Sequence, residues 1–97
     1  MTNKVMIVGV LEDLEKERLF GKKSITLKIA THNNKKDKII LVEANVISKK
    51  TIIDILEKLE RMKNNFYCYN GYLSVGKDKL YFICTSVSFV SEGKELL

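Results

Sequence analysis

Residues 66–75 read FYCYNGYLSV, an Asn-Gly pair set among aromatic residues. Asn-Gly between alternating apolar residues is the strongest short hairpin signal, because both residues accept the positive φ of a tight turn. Were Asn70-Gly71 such a turn, its second arm would be YLSV alone, ending at the next break. That break, Gly76-Lys77-Asp78, is itself a good hairpin loop. One strand from Phe66 to Val75, paired through that loop with Leu80 to Val90, uses the whole segment. Gly71 then lies inside a strand, where glycine marks a sharp bend or a bulge. Tyr67, Tyr69, Gly71, Leu73 and Val75 share one face of it; Phe66, Cys68, Asn70, Tyr72 and Ser74 share the other. Tyr67 and Tyr69 are expected in the core.

Just upstream the period changes. In SKKTIIDILEKLERMKNN, residues 48–65, apolar side chains fall at Ile52, Ile53, Leu56, Leu59 and Met62. That spacing predicts an amphipathic helix. Ser48 or Thr51 can cap it, since a side-chain oxygen there accepts from the free N–H groups of the first turn. Asp54, three residues after Thr51, adds a weak capping box. Asn64-Asn65 ends the helix, and Glu57, Lys58, Glu60 and Arg61 form its solvated face.

Three strands precede it: KVMIVGVL at 4–11, SITLKIAT at 24–31 and IILVEANV at 39–46. The first is apolar on both faces, with Val5, Ile7, Gly9 and Leu11 on one and Met6, Val8 and Val10 on the other. A small domain seldom buries both faces of a strand by itself. A loop or another chain is therefore expected over Met6, Val8 and Val10. Phe82, on the last strand, is expected as a partner or core contact and is placed with the partner contacts. EDLEKERLFGKK reads as a polar connection, acidic from Glu12 to Glu17. The second strand turns Ile25, Leu27 and Ile29 one way and Thr26 and Lys28 the other. HNNKKD is a turn.

The order strand, strand, strand, helix, strand, strand, with a glycine inside two strands, is that of the OB-fold. This is a small five-stranded Greek-key β-barrel that often binds oligonucleotides. The helix would plug the barrel with Ile52, Leu56 and Leu59. The domain takes residues 1–91 and leaves 92–97 as a short tail.

The chain has 97 residues, enough for one core. No apolar run approaches the ~18 residues of a membrane span. The N-terminus lacks the cleavage site of a signal peptide, so a cytoplasmic location is expected. Cys68 and Cys84 are too few and too far apart for a zinc site and read as buried thiols. His32 is the only histidine, and Gly9, Gly21, Gly71, Gly76 and Gly93 are dispersed. Neither a catalytic triad nor a phosphate loop can be assembled, so no enzyme activity, cofactor or metal is expected. The net charge of +5 permits a polyanionic partner. Its clusters, Lys22-Lys23, Lys35-Lys36 with Lys38, and Lys49-Lys50, either surround one groove or are scattered solubilising lysines.

Asn3-Lys-Val-Met-Ile-Val-Gly-Val-Leu11, followed by acidic residues, resembles the opening strand of bacterial single-stranded-DNA-binding proteins, typically Asn-x-Val-x-Leu-x-Gly-x-Leu. Ile25-Thr-Leu-Lys-Ile-Ala-Thr31 resembles their second strand, Tyr67-Cys-Tyr-Asn-Gly-Tyr-Leu73 their fourth, and Ile83-Cys-Thr-Ser-Val-Ser-Phe-Val90 their last. The likeness runs over nearly all of residues 3–91. It implies single-stranded DNA held by base stacking on aromatic side chains over a basic groove.

The departures bear on that groove. In the family, key aromatics lie in the loop after the second strand and on the third strand. HNNKKDK and IILVEANV contain none. Val10 stands where the family often has an arginine or polar residue, and EGKELL is not the family's acidic, Phe-ended tail. Tyr72 and Phe20 remain for stacking. Lys22, Lys23, Lys28, Lys35, Lys36 and Lys38 remain for phosphate, a salt-sensitive and sequence-blind contact. The resemblance thus implies a DNA-replication accessory protein that holds single-stranded DNA and docks on a polymerase, primase or helicase. The two-sided apolar first strand, for its part, points to a homo-oligomer or a docked partner at Met6, Val8 and Val10. The alternative is an adaptor OB domain that has lost nucleic-acid binding. A composition rich in Lys, Asn and Ile without Pro or Trp is compatible with an AT-rich bacterial genome or a mobile genetic element. Small diverged relatives of the family serve such modules, among them the partner of an A-family polymerase in staphylococcal cassette elements.

Overall fold

The computed structural model describes residues 3–33 and 38–93. It contains β1 (Val5–Leu19), β2 (Lys22–Asn33), β3 (Lys38–Val46), α1 (Lys49–Glu57), α2 (Leu59–Asn64), β4 (Asn65–Val75) and β5 (Leu80–Glu92). The strands close a barrel in the order β1-β2-β3-β5-β4. All neighbours are antiparallel except β3 and β5, which meet in parallel at Asn45 and Ile83.

Gly71 is an in-strand residue, paired with Val5 of β1 on one side and Cys84 of β5 on the other. A β-carbon there would collide with the backbone carbonyl oxygen of Ile83, so only glycine permits this approach. Asn70 pairs with Ser86 and Gly71 with Cys84, which leaves Thr85 as the extra residue of a bulge. The Thr85 hydroxyl donates to the Asn70 carbonyl at 3.3 Å. The Thr85 carbonyl in turn accepts from the Thr51 hydroxyl of α1 at 2.9 Å. Thr51 therefore ties the helix to the bulge and does not cap it. Ser48 holds the N-cap position with extended backbone, but its side chain makes no capping bond.

The helical segment breaks at Lys58. Ile55 and Met62 are fully buried in the core, and Ile52 and Leu59 pack against it. Leu56, expected inside, is 41% exposed. The buried stripe runs through Ile52, Ile55, Leu59 and Met62 in steps of three and four, and Leu56, about 100° round the helix from Ile55, falls at its edge. Asn64 and Asn65 close the segment as expected, their side chains donating to the carbonyls of Glu60 and Arg61.

The largest difference from the sequence expectation is at residues 12–23. They are strand, not connection: β1 and β2 form one long hairpin whose last pair is Leu19 with Lys22. Its two-residue loop, Phe20-Gly21, has φ of 53° and 75°, positive at both positions as in a type I′ turn. A bulge lies between Leu11 and Asp13, and the Asp13 carboxylate accepts from the Leu14 N–H at 2.9 Å. Before the bulge the inward residue is Leu11, and after it the inward residue is Leu14. Asp13, Glu15 and Glu17 therefore alternate onto one face of the hairpin. Lys16 and Arg18 follow Leu14 onto the other.

The core also holds Ile25, Leu27, Ile29, Ala44, Val46, Tyr67, Tyr69, Phe82, Cys84 and Val87. Tyr67 and Tyr69 are where the alternation put them. Cys68 and Cys84 are buried free thiols, as expected from the sequence.

Candidate nucleic-acid interface

The outer face of the barrel carries one row of cross-strand neighbours. Glu15 of β1 pairs with Thr26 of β2, Thr26 with Asn45 of β3, Asn45 with Ile83 of β5, and Ile83 with Tyr72 of β4. Two residues earlier on β3 and β5, on the same face, stand Glu43 and Tyr81. Thr26 and Asn45 are buried although they point outward. They are satisfied there: the Thr26 hydroxyl lies 2.7 Å from the Glu17 carboxylate and 3.2 Å from the Asn45 side-chain oxygen.

Phe20 at the tip of the β1–β2 hairpin meets Tyr81 edge to face, with ring centroids 5.5 Å apart. Lys79, the last residue before β5, lies 5.0 Å from the Tyr81 ring centroid and 3.8 Å from the Glu43 carboxylate. The two loops thus converge on one face. Phe20 and Tyr72 are 55% and 40% exposed, and Tyr81 is half-buried between them. Three aromatic side chains and Lys79 line a surface that runs from the hairpin tip across β5 to β4.

The expected site residues separate as follows. Tyr72 and Phe20 are on this face and accessible. Lys28 is there too, but it sits between Asp13 and Glu43 in the register and 4.0 Å from the Glu15 carboxylate. Lys22 shares the strand parity of Thr26, beside the Phe20 turn. Lys23 pairs with Arg18 and points to the opposite face of the hairpin. Lys38 is exposed at the start of β3. Lys35 and Lys36 lie outside the described residues.

Of the expected partner contacts, Met6 is 69% and Val8 43% exposed, and Val10 is half-buried. All three are on the side of β1 opposite the core. Phe82 is corrected: it is a core residue, 6% exposed. The Thr85 bulge inverts the parity of β5, so Phe82 and Cys84 share the inside with Val87. A strict alternation counted back from Val87 puts Phe82 outside. Tyr81, which the alternation alone does not single out, takes the outward place. Its signal in the sequence is its position at the second residue of the strand that follows the Gly76–Asp78 loop.

Inside, the Tyr69 hydroxyl is buried with no hydrogen-bond partner among the described residues. Burial pushes its pKa far up, reinforced by Cys84 and Tyr67. The Cys84 thiol is pushed up to about 11, chiefly by burial. Neither group faces the outer surface. Among the described residues, no three His, Cys, Asp or Glu side chains gather as a metal site requires. None of their helices is long and apolar enough to cross a membrane.

No family model matches the sequence, and no curated protein matches it. Solved structures do. The mitochondrial single-stranded DNA binding protein Rim1 of S. cerevisiae superposes with a TM-score of 0.76 at 13% identity, over 94% of this chain and 98% of that one. The fold is the OB-fold. The dimeric N-terminal domain of PriB from Thermoanaerobacter tencongensis gives 0.64 at 18% identity, over 93% and 98% of the two chains. A small single-stranded DNA binding protein from Mycoplasma pneumoniae gives 0.62 at 11%, over 91% and 86%. In this OB-fold, the Phe20 turn joins the first two strands and the Gly76–Asp78 loop joins the last two.

Proposed function

We propose that this protein is a non-enzymatic, cytoplasmic DNA-replication accessory that binds single-stranded DNA on the outer OB-fold face. In this reading it docks on a replication enzyme, a polymerase, primase or helicase. The observation that carries the reading is the convergence of Phe20, Tyr81 and Lys79 beside Tyr72. Each stacked base is worth roughly 1–3 kcal/mol, so three aromatics can replace those missing from β3. Rim1 and the M. pneumoniae protein bind single-stranded DNA by name, which favours the same ligand here. Exposed Met6 and Val8 on β1 support self-association, in keeping with the dimeric PriB domain. The proline-free, Lys- and Asn-rich composition suits a mobile-element replication module.

Anisotropy of labelled oligo-dT at two salt concentrations tests the DNA reading. Binding should weaken steeply with salt, and Phe20→Ala, Tyr72→Ala and Tyr81→Ala should each lower affinity. Salt-insensitive binding, or full affinity in all three variants, would refute it. A second reading, an adaptor that has lost DNA, is favoured by the carboxylates Asp13, Glu15 and Glu43 around Lys28. Absence of oligo-dT binding, with a replication enzyme co-purifying from the native host, would establish that alternative.

A further inference from the structure

The inner face of the β1–β2 hairpin does not rest flush on α1. Between them lies an open cleft of about 570 Å³, within the range of small-ligand and peptide-anchor sites. Its floor is aliphatic: Ile25 from β2, and Ile52 and Leu56 from α1. Its rim is cationic: Lys16 and Arg18 from β1 and Lys23 from β2. Glu17 and Ser24 also border it, but the Glu17 carboxylate is turned away to the Thr26 hydroxyl.

Two features are unusual for a surface with no occupant. Arg18 and Lys23 stand directly opposite one another in the ladder, an arrangement that destabilises a strand pair. Neither they nor Lys16 form an ion pair among the described residues. Leu56 adds an exposed aliphatic side chain beside these cations.

We propose that this cleft docks an acidic peptide segment of a partner protein, with one apolar side chain seated on Ile25, Ile52 and Leu56. The carboxylates of the segment pair with Lys16, Arg18 and Lys23. Nucleic acid suits the cleft less well. Its lining has no aromatic ring, so a base would find no π-face to stack on, whereas an aliphatic floor takes a leucine or phenylalanine side chain. The cleft lies on the opposite face of the hairpin from Phe20, Tyr81 and Tyr72, and partner docking there leaves that face open.

The probe is a fluorescein-labelled peptide of alternating Asp and Glu with two Leu. Its control has both Leu replaced by Ser at equal charge. The wild-type protein should bind the probe, with the control about tenfold weaker. Lys16→Glu combined with Arg18→Glu should weaken the probe about tenfold or more, the sum of two surface pairs removed and reversed. Leu56→Ser should weaken the probe and leave the control unchanged. All three positions are exposed, so the variants should melt like wild type. No probe binding, equal binding of probe and control, or indifference to both sets of substitutions overturns the proposal. So does an oligo-dT affinity that falls as far as the probe's in the charge-reversal variant, which would make the cleft a nucleic-acid site. Oligo-dT binding by Phe20→Ala and Tyr81→Ala, measured alongside, reports on the outer face separately.

Discussion

Gly71 shows how much one side chain can decide. With a β-carbon facing the Ile83 carbonyl oxygen, β4 and β5 must part or the barrel must open. Gly71→Ala should lose at least about 3 kcal/mol in chemical denaturation, the upper end for an overpacked site. Gly21→Ala meets nothing within van der Waals reach and should lose only about 1–2 kcal/mol, the strain of a left-handed residue. Equal losses would mean that the close approach at Gly71 is relieved elsewhere. Tyr69 gives the opposite case. Its hydroxyl is buried without a partner among the described residues, and such a group destabilises by about 1–3 kcal/mol. Tyr69→Phe should keep or raise stability, by up to about 1 kcal/mol; a loss would show that the hydroxyl is satisfied after all. Phe20 is a bulky residue at positive φ, a conformation tolerated where structure or function holds it. Phe20→Gly should relieve that strain and remove the edge-to-face packing on Tyr81, two effects of similar size and opposite sign. Stability should therefore stay within about 1 kcal/mol of wild type. Oligo-dT affinity should nonetheless fall roughly fivefold to a hundredfold. That divergence between melting and binding separates a stacking role from a structural one.

The elements were legible where side-chain period and burial agree. The alternating second strand and the in-strand Gly71 have an unbroken pattern that the structure follows, and the helical segment is where its period put it, broken once at Lys58. The long hairpin was not legible, because residues 12–18 carry charges on both faces and look like a connection. Read with period two, they sort by sign: Asp13, Glu15 and Glu17 against Lys16 and Arg18. The pattern is visible only once the bulge at Glu12 resets the count. The same difficulty hid Phe82 and Tyr81, which exchange sides across the Thr85 bulge. Gly71 marks the step of β4 that faces one bulge, but neither Glu12 nor Thr85 announces itself as the extra residue, so alternation read from either end fails on the far side. Leu56 escaped for a different reason: the stripe that meets the barrel is centred on Ile55 and Leu59, which leaves Leu56 at its edge. The site was therefore half legible: Tyr72 and Phe20 stand on the candidate face, while Tyr81 and Lys79 required the fold to bring the loops together.

Across the whole molecule, two buried acids set an alkaline limit. The Cys84 thiol is raised from its ordinary value to about 11 by burial, and the Tyr69 phenol is raised as well. A raised folded-state pKa favours the neutral form, so its stabilisation is complete below the unfolded value and is lost as pH climbs through the folded one. Stability should therefore be flat below about pH 8 and fall from about pH 9 upward. Cys84→Ala should flatten the first part of that fall in urea titrations at successive pH values, and an unchanged slope would exclude the thiol. Exposed Met6 and Val8 should make assembly depend on β1: Val8→Lys should yield a smaller species by light scattering. Identical masses for wild type and variant would count against that surface.

The bulges at Glu12 and Thr85 also bear on which changes in chain length the molecule can survive. A closed barrel offers no free edge along which a shortened strand can slide. Deleting Lys28 from the regular ladder of β2 would therefore set Leu27 and Ile29 at odds, and one end of the strand would turn its aliphatic side chains to water. Glu12 and Thr85 are different, because each is already supernumerary. Without Glu12, Leu11 and Leu14 would still face inward around Asp13; without Thr85, Cys84 and Val87 would do so around Ser86. What such a shortened chain forfeits is local curvature and, at Thr85, the tether that fastens α1. Inherited deletions within strands should thus collect at such bulges, where the barrel carries a spare residue in reserve.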